Sequence, residues 1–234
     1  MKTLIVIPTY NEALNIEKLI NTIYSTLTAS DFSILIVDDS STDGTFEKVE
    51  QLKSKYKTLL SIQRPEKLGL ASAYIDGFKY GLNKGFDAFI QMDADFSHNP
   101  DYLNTMIENL NTYDVVIASR NIKGGSAPDW GLLRHIISKG GSIYSKIILN
   151  CPINDLTGGF NAWKKEVLEK INLDNIISTG YVFQIEMKYK AYKNNFKIKE
   201  FPIVFPDRKQ GKSKMSKAIF FEALINVIKL RFSK

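Results

Sequence analysis

Ala88-Phe89-Ile90-Gln91-Met92-Asp93-Ala94-Asp95-Phe96-Ser97-His98 carries the pattern on which the fold reading turns: a short apolar run that stops at acids. Ala88–Met92 reads as a buried strand, with two carboxylates just past it. The arrangement recurs through the first half of the chain. Leu4–Ile7 leads into Pro8-Thr9-Tyr10-Asn11-Glu12, Ile34–Val37 into Asp38–Gly44, and Val115–Ser119 into Ser119-Arg120; Leu59–Gln63 is a further apolar run. Between these runs, Glu12–Thr26, Thr45–Tyr56, Leu70–Lys84 and Pro100–Asn109 have helical spacing. Strand–helix alternation predicts an α/β domain with a mainly parallel central sheet flanked by helices. Ligands of such sheets bind beyond the carboxyl ends of the strands. All four polar loops fall there, which points to a site.

Beyond Asn121 the pattern loosens. A Gly-rich loop (Lys123–Gly131) precedes a helix, Leu132–Leu149, and a turn, Cys151–Gly159, follows. A helix near Tyr181–Lys193, a strand over Lys197–Phe205 and a last helix, Lys217–Phe232, complete the expectation. The organisation predicted is a domain over residues 1–216 with an amphipathic helix over 217–234.

Whole-chain properties narrow the classes. A length of 234 residues with 44% hydrophobic content suits one sizeable core. The single cysteine, Cys151, permits no internal disulfide, in keeping with a reducing, cytosolic location, and has no matched base in sequence. The run Leu4–Ile7, cut by Pro8, does not resemble a secretion signal, and no stretch reaches the roughly 18–20 apolar residues of a bilayer span. Residues 197–234 hold ten Lys or Arg against three acids, a net +7; the total is +6, so the rest carries −1. A near-neutral body with a basic tail suggests one positive face rather than a protein that coats nucleic acid. No G-x-G-x-x-G follows a strand and no G-x-x-x-x-G-K-[ST] loop is present, so dinucleotide oxidoreductase and P-loop chemistry lose their main support.

Asp93 and Asp95, two residues apart at a strand end, can converge on one hard cation, Mg²⁺ or Mn²⁺. Such a cation, bridged to a diphosphate, would neutralise charge growing on a leaving group. The competing reading is a pair of loop acids ahead of the next helix. Glu12, Asp38 and Asp39 add acids to the same sheet edge, where a cation or hydrogen-bond donors must offset them. A nucleoside could supply such donors to Glu12 and Asp39, with Pro8 and Tyr10 as apolar walls, while Asp43 is read as a helix cap. His98 and His135 lack a second ligand at helical spacing and are read as polar packing.

The motifs Ile7–Glu12, Val37–Gly44 and Gln91–Asp95 resemble glycosyltransferase family 2, inverting enzymes with a Rossmann-like nucleotide-diphospho-sugar transferase fold of the GT-A type. Arg64–Leu70, Asp95–His98, Ala118–Arg120, Trp130–Arg134, Ser138–Gly141, Asp155–Phe160, Gly180–Glu186 and Pro206-Asp207-Arg208 are similar to the dolichyl-phosphate (polyprenyl-phosphate) mannose synthases of that family, in order from Leu4 to about Ser216. The resemblance implies GDP-mannose as donor and a polyprenyl or dolichyl monophosphate as acceptor. It implies that Pro8, Tyr10, Glu12, Val37, Asp39, Lys67, Gly69 and Asp93 hold the nucleotide sugar. Asp93 and Asp95 would bind the metal, with Ser97 as a weak third ligand where some relatives have glutamine. Arg120, Arg134, Ser138 and Arg208 would hold the acceptor phosphate, and Gly158-Gly159 would border the sugar pocket. Many relatives continue into transmembrane helices, and some short ones use a small membrane partner protein.

A lipid monophosphate is largely ionised at neutral pH, so its oxygen attacks without a base. Arginine forks match its geometry. The expected reaction is in-line displacement at the anomeric carbon with inversion, and Asp95, Arg120, Arg134 and Arg208 carry it. UDP-glucose or another UDP-sugar as donor, or a glycan as acceptor, is the alternative; a glycan hydroxyl would need a carboxylate base. A non-catalytic nucleotide-binding scaffold is the more remote one. The apolar stretch Ala218–Phe232, 15 residues or about 22 Å of helix, is too short for a core of about 30 Å. It either lies in a membrane interface or packs back on the domain. The first outcome fits a peripheral enzyme on the cytoplasmic face of a membrane.

Overall fold

The computed structural model describes residues 1–28, 31–178, 180–206 and 217–232. The elements in chain order are β1 (Thr3–Thr9), α1 (Ile16–Thr26), β2 (Phe32–Asp38), α2 (Thr45–Leu52), β3 (Leu59–Gln63), α3 (Leu70–Asn83) and β4 (Ala88–Gln91). After a 3₁₀ turn come α4 (Leu103–Leu110), β5 (Val115–Ser119), α5 (Leu132–Leu149), β6 (Asn161–Lys164), α6 (Lys165–Ile171), α7 (Gly180–Lys193), β7 (Ile198–Pro202) and α8 (Lys217–Phe232). One seven-stranded sheet has the order β3-β2-β1-β4-β6-β5-β7.

The run Leu4-Ile5-Val6-Ile7 shows why the first strands read as continuous apolar segments. Successive side chains of a strand point to opposite faces, and both faces are covered. Leu4 and Val6 join one core with Leu35, Val37, Tyr74, Phe78, Phe89 and Phe183 beneath α3 and α7. Ile5 and Ile7 join the other with Ile16, Leu19, Ile34, Ile36, Met106 and Val116 beneath α1 and α4. Each face adds burial worth about 25 cal/mol per Å² of apolar surface. The chain winds outward from β1 to β3 and then restarts on the opposite side at β4. The carboxyl ends of β1 and β4 therefore flank a switch point, the crevice where α/β sheets bind ligands.

The sheet departs from the expected pattern at β6. Asn161-Ala162-Trp163-Lys164 lies antiparallel between β4 and β5, in a region expected to be a turn followed by irregular chain. Four residues without a β-branched side chain leave no strand signal. Burial of Trp163, whose indole N–H donates to Gln91 Oε1 at 2.9 Å, seats the strand. β7 is also shorter than expected, stopping at Pro202.

The last helix packs against α5 and α7. Val227 and Leu230 enter the core, the Tyr144 hydroxyl donates to the Leu224 carbonyl at 3.0 Å, and Arg231 Nη1 donates to the Leu149 carbonyl at 3.2 Å. Its opposite side exposes Ile225, Ile228 and Phe232. No described helix is long and apolar enough to cross a membrane.

α3 lies close on β1 and β4 because Gly77 and Gly81, one turn apart, present no side chain there. A Cβ on Gly81 would meet Phe89 Cε1 inside contact distance and Leu4 Cδ2 at 2.6 Å. Alanine favours an isolated helix over glycine by about 1 kcal/mol, but overpacking a buried contact costs about 1–3 kcal/mol. We expect Gly81→Ala to lower the urea midpoint despite its better helix propensity; a raised midpoint would show that the layer can yield.

Candidate active site

At the end of β4 the chain turns through Phe96, which has φ +62°. This turn lets Ser97 reach back to Asp95: the Ser97 backbone N–H donates to Asp95 Oδ1 at 3.0 Å and its hydroxyl to the same oxygen at 2.5 Å. The hydroxyl expected to be a weak metal ligand thus orients the neighbouring carboxylate. Asp93 is fixed on two sides. Its N–H donates to His98 Nδ1 at 2.9 Å, and Oδ1 accepts from the Tyr74 hydroxyl at 3.0 Å. Burial, reinforced by the carboxylates of Asp93 and Asp95, pushes the Tyr74 phenol well above its usual value and keeps it a donor. His98 is buried, stacked on Phe160 with ring centroids 4.7 Å apart. Because Nδ1 accepts, its proton sits on Nε2.

Two oriented carboxylates two residues apart suit a hard divalent cation, whose other positions belong to phosphate oxygens and water. Among the described residues, no cluster of three or more His, Cys, Asp or Glu could hold a metal by itself. The residues present fit a cation shared with a diphosphate.

The ends of β1 and β2 form the adjoining wall. Asp38 accepts from the Thr9 hydroxyl at 2.8 Å and from the Ser41 hydroxyl at 2.6 Å, which locks the two strand ends together. Asp39 turns toward the loop that follows β3. Its carboxylate accepts from Arg64 Nη1 (2.9 Å), Leu68 N–H (2.9 Å) and Gly69 N–H (2.8 Å). Arg64 in turn pairs with Asp76 at 3.2 Å. Gly69 has φ +95°, a conformation open to glycine at little cost. One result is that the Lys67 ammonium lies 3.5 Å from the centre of the Tyr10 ring, so two candidate donor-binding residues meet. Glu12 accepts from Asn15 Nδ2 at 2.9 Å. Asp43 binds the Thr45 N–H at the start of α2. Pro8 is buried in β1, and Val37, expected among the nucleotide contacts, is wholly buried in β2 with its side chain in the core beneath α3.

On the other side of β4, Arg120 at the end of β5 forms a bidentate pair with Asp155. Nε donates to Oδ2 at 2.8 Å and Nη2 to Oδ1 at 2.7 Å, while the Arg120 N–H also reaches Oδ2 at 2.9 Å. Its guanidinium lies 5.3 Å from the Trp130 ring, and that of Arg134 lies 4.1 Å from the same ring. Two arginines far apart in sequence thus flank one indole, an arrangement that cation–π attraction favours. Ser138 is one turn further along α5 than Arg134. Arg208 lies outside the described residues.

Sequence reading missed Asp155 as the partner of Arg120, Tyr74 and His98 as supports of the metal loop, and Arg64 as the clamp on Asp39. Each is a supporting contact between residues distant in sequence, visible only once the strands are ordered. Burial alone would raise the Asp155 carboxyl, but the charge and hydrogen bonds of Arg120, helped by Lys188, hold it at about 2. A carboxyl lowered from 3.8 contributes stability that is complete above about pH 4 and is lost as pH falls through about 2. The span amounts to about 2 kcal/mol. Urea midpoints measured from pH 5 to pH 2 should fall more steeply for the wild type than for Asp155→Asn; parallel slopes would contradict the pairing.

The geometry agrees with three comparisons. The sequence profile described as "Glycosyl transferase family 2" matches residues 4–172. An undecaprenyl-phosphate mannosyltransferase of Micrococcus luteus is 39% identical over 97% of this chain and 93% of its own. A polyprenol monophosphomannose synthase of Mycolicibacterium smegmatis is 37% identical over 97% and 85%. A dolichol-phosphate mannosyltransferase of Pyrococcus furiosus is 38% identical over 98% of this chain, which spans 64% of that protein. Among solved structures, glucosyl-3-phosphoglycerate synthase of Mycobacterium tuberculosis superposes with a TM-score of 0.72 at 15% identity, over 98% of this chain and 79% of that one. A Pyrobaculum calidifontis mannosyltransferase in complex with GDP-Man and Mn²⁺ gives 0.62 at 18% identity, over 99% and 70%. Both share the GT-A type fold. The chain belongs to glycosyltransferase family 2 and is a glycosyltransferase.

Proposed function

We propose that this enzyme transfers mannose from GDP-mannose to the phosphate of a polyprenyl or dolichyl lipid, with inversion at the anomeric carbon, using Mg²⁺ or Mn²⁺. The observation that carries the reading is the pair of arginines around Trp130, one locked by Asp155, on the sheet edge that also holds Asp93 and Asp95. Relatives at 37% to 39% identity named for mannose transfer to polyprenyl or dolichol phosphate support the acceptor and the sugar. The Pyrobaculum complex supports the donor and the metal by fold alone.

In this reading Asp93 and Asp95 hold the cation, which when bound neutralises charge on the departing diphosphate. Pro8, Tyr10, Glu12, Lys67 and Gly69 border the nucleotide. Asp39 contributes by holding the Lys67–Gly69 loop in shape. Arg120, Arg134 and Ser138 present donors to the lipid phosphate, a role that the family resemblance also gives to Arg208. Their task is to aim an oxygen that is already ionised, so positioning replaces proton abstraction. Displacement from the face opposite the leaving group inverts the configuration; an α-linked product from the α-linked donor would refute it.

Two apolar ridges support peripheral membrane association, which the reading places on the cytoplasmic face. Leu132, Ile136, Ile143 and Ile147 fall within one 60° stripe of α5 at 100° per residue and are exposed, as are Ile225, Ile228 and Phe232 on the outer side of α8. The exposed Lys139 and Lys229 would meet anionic headgroups.

The first test is transfer of labelled sugar into extractable lipid, with GDP-mannose, UDP-glucose and UDP-N-acetylglucosamine compared in the presence of Mg²⁺ or Mn²⁺. We expect metal-dependent label from GDP-mannose that disappears in Asp95→Ala. Label from a uridine donor alone would change the sugar, and none from any donor would overturn the acceptor. Arg134→Ala should raise the acceptor KM roughly 10- to 100-fold, the worth of a charged hydrogen bond, with the donor KM little changed. The triple change Ile136→Ser, Ile143→Ser and Ile147→Ser should reduce liposome retention; unchanged retention with an intact melting curve would remove the membrane reading of this face.

A further inference from the structure

Lys188 is the most deeply buried cation of the molecule's described residues, with no exposed surface at all. It sits on α7, a helix buried on nearly every side, and its ammonium has three donors. All three are matched by backbone: Nζ donates to the carbonyls of Asp155 at 2.8 Å, Leu156 at 3.3 Å and Gly158 at 2.7 Å. One turn earlier on the same face, Gln184 Oε1 accepts from Asn161 Nδ2 at 3.0 Å. From the opposite side, Glu200 of β7 accepts from the backbone N–H groups of Asn154 and Asp155, each at 2.9 Å, and its Oε1 also takes the Ser119 hydroxyl at 2.8 Å. The turn 154–158 is thus tied by a cation through its carbonyls and by an anion through its amides. The fully buried Asp155 carboxylate of this turn fixes Arg120.

Such a cation is costly to bury. Burial pulls the Lys188 ammonium down to about 8, opposed by the charge of Asp155. A hydrophobic residue at this place in α7 would fill the core without that cost, so the ammonium is there for its hydrogen bonds.

We propose that Lys188 is a positioning residue for the acceptor: it holds the 155–158 turn so that Asp155 aims the Arg120 guanidinium at the incoming phosphate. The idea rests on the acceptor reading above. The Lys188 ammonium spends its three donors on the 155–158 turn, and none of them goes to β1, β2 or the loop after β3, where the nucleotide side is built. Loosening the turn therefore damages phosphate placement, and through Gly158 the sugar side of the site, while the nucleoside end built on β1 and β2 keeps its contacts. A displacement of about 1 Å at a reacting group costs on the order of a hundredfold in rate.

The test uses the full chain with GDP-mannose, Mn²⁺ and polyprenyl phosphate. Wild-type transfer is measured first, and its absence would defeat the acceptor reading itself, separately from the role of Lys188. Lys188→Met removes the donors at nearly constant volume. The expected result is folded protein whose GDP affinity is within twofold of wild type and whose kcat/KM for polyprenyl phosphate falls on the order of a hundredfold. Lys188→Gln, which keeps two donors, should recover part of the loss and serves if the methionine variant does not fold. In an Arg120→Ala background, Lys188→Met should add less than threefold, because both changes remove the same function. A folded Lys188 variant with wild-type transfer would overturn the proposal. Equal losses in GDP affinity and transfer, or fully multiplicative losses with Arg120→Ala, would overturn it as well.

Discussion

The pairing of Asp155 with Arg120 is the interaction on which the part of the site proposed for the acceptor depends. It closes the end of β5 onto the turn that precedes β6, and through that turn it reaches α7 and β7. A single buried carboxylate would be driven towards its neutral form by desolvation. Here a guanidinium, an ammonium and the Gly158 amide surround it, so the charge persists. The arrangement resists partial change, since removing one member leaves a buried charge without its counterpart, at about 3–5 kcal/mol.

The two halves of the site are stiffened by related means. Near β1 and β2, Asp38 gathers hydroxyls from Thr9 and Ser41, and Asp39 gathers amides from Leu68 and Gly69 together with the buried Arg64 guanidinium. Beyond β4, the buried Asp155 carboxylate holds the Arg120 guanidinium, which also faces the Trp130 and Phe205 rings. Both walls therefore rest on a carboxylate–guanidinium pair withdrawn from water, the first beside backbone amides and the second beside aromatic rings.

The parallel half of the fold was legible because its signal is local. Leu4–Ile7, Ile34–Val37 and Val115–Ser119 are β-branched runs that stop at polar loops, and a covered parallel sheet requires that pattern. The D-x-D acids and Arg120 could be picked out for the same reason, as polar groups placed at strand ends, whereas Arg134, on α5, was singled out by the family resemblance. Asn161–Lys164 gave no such signal. Its strand exists because a buried tryptophan and the edges of β4 and β5 draw it in, a tertiary effect that outweighs weak propensity. Lys188 was hidden for a related cause. A lysine on a helix is ordinarily solvated, and only the absence of an exposed face on α7 shows that this one must point inward.

The central position of β6 also constrains how the chain comes to be folded. β4 ends at Gln91, and the strand that covers its open side begins only at Asn161, 70 residues later. At roughly 5–20 residues per second, that interval lasts several seconds or more during synthesis. Throughout it, Ala88–Gln91 exposes an unpaired edge in the middle of the future sheet, with β5 already made but unable to dock in its final place. The nascent chain thus carries a half-sheet whose open edge must wait for one short segment, the stage at which an unpaired strand is most exposed to wrong pairing.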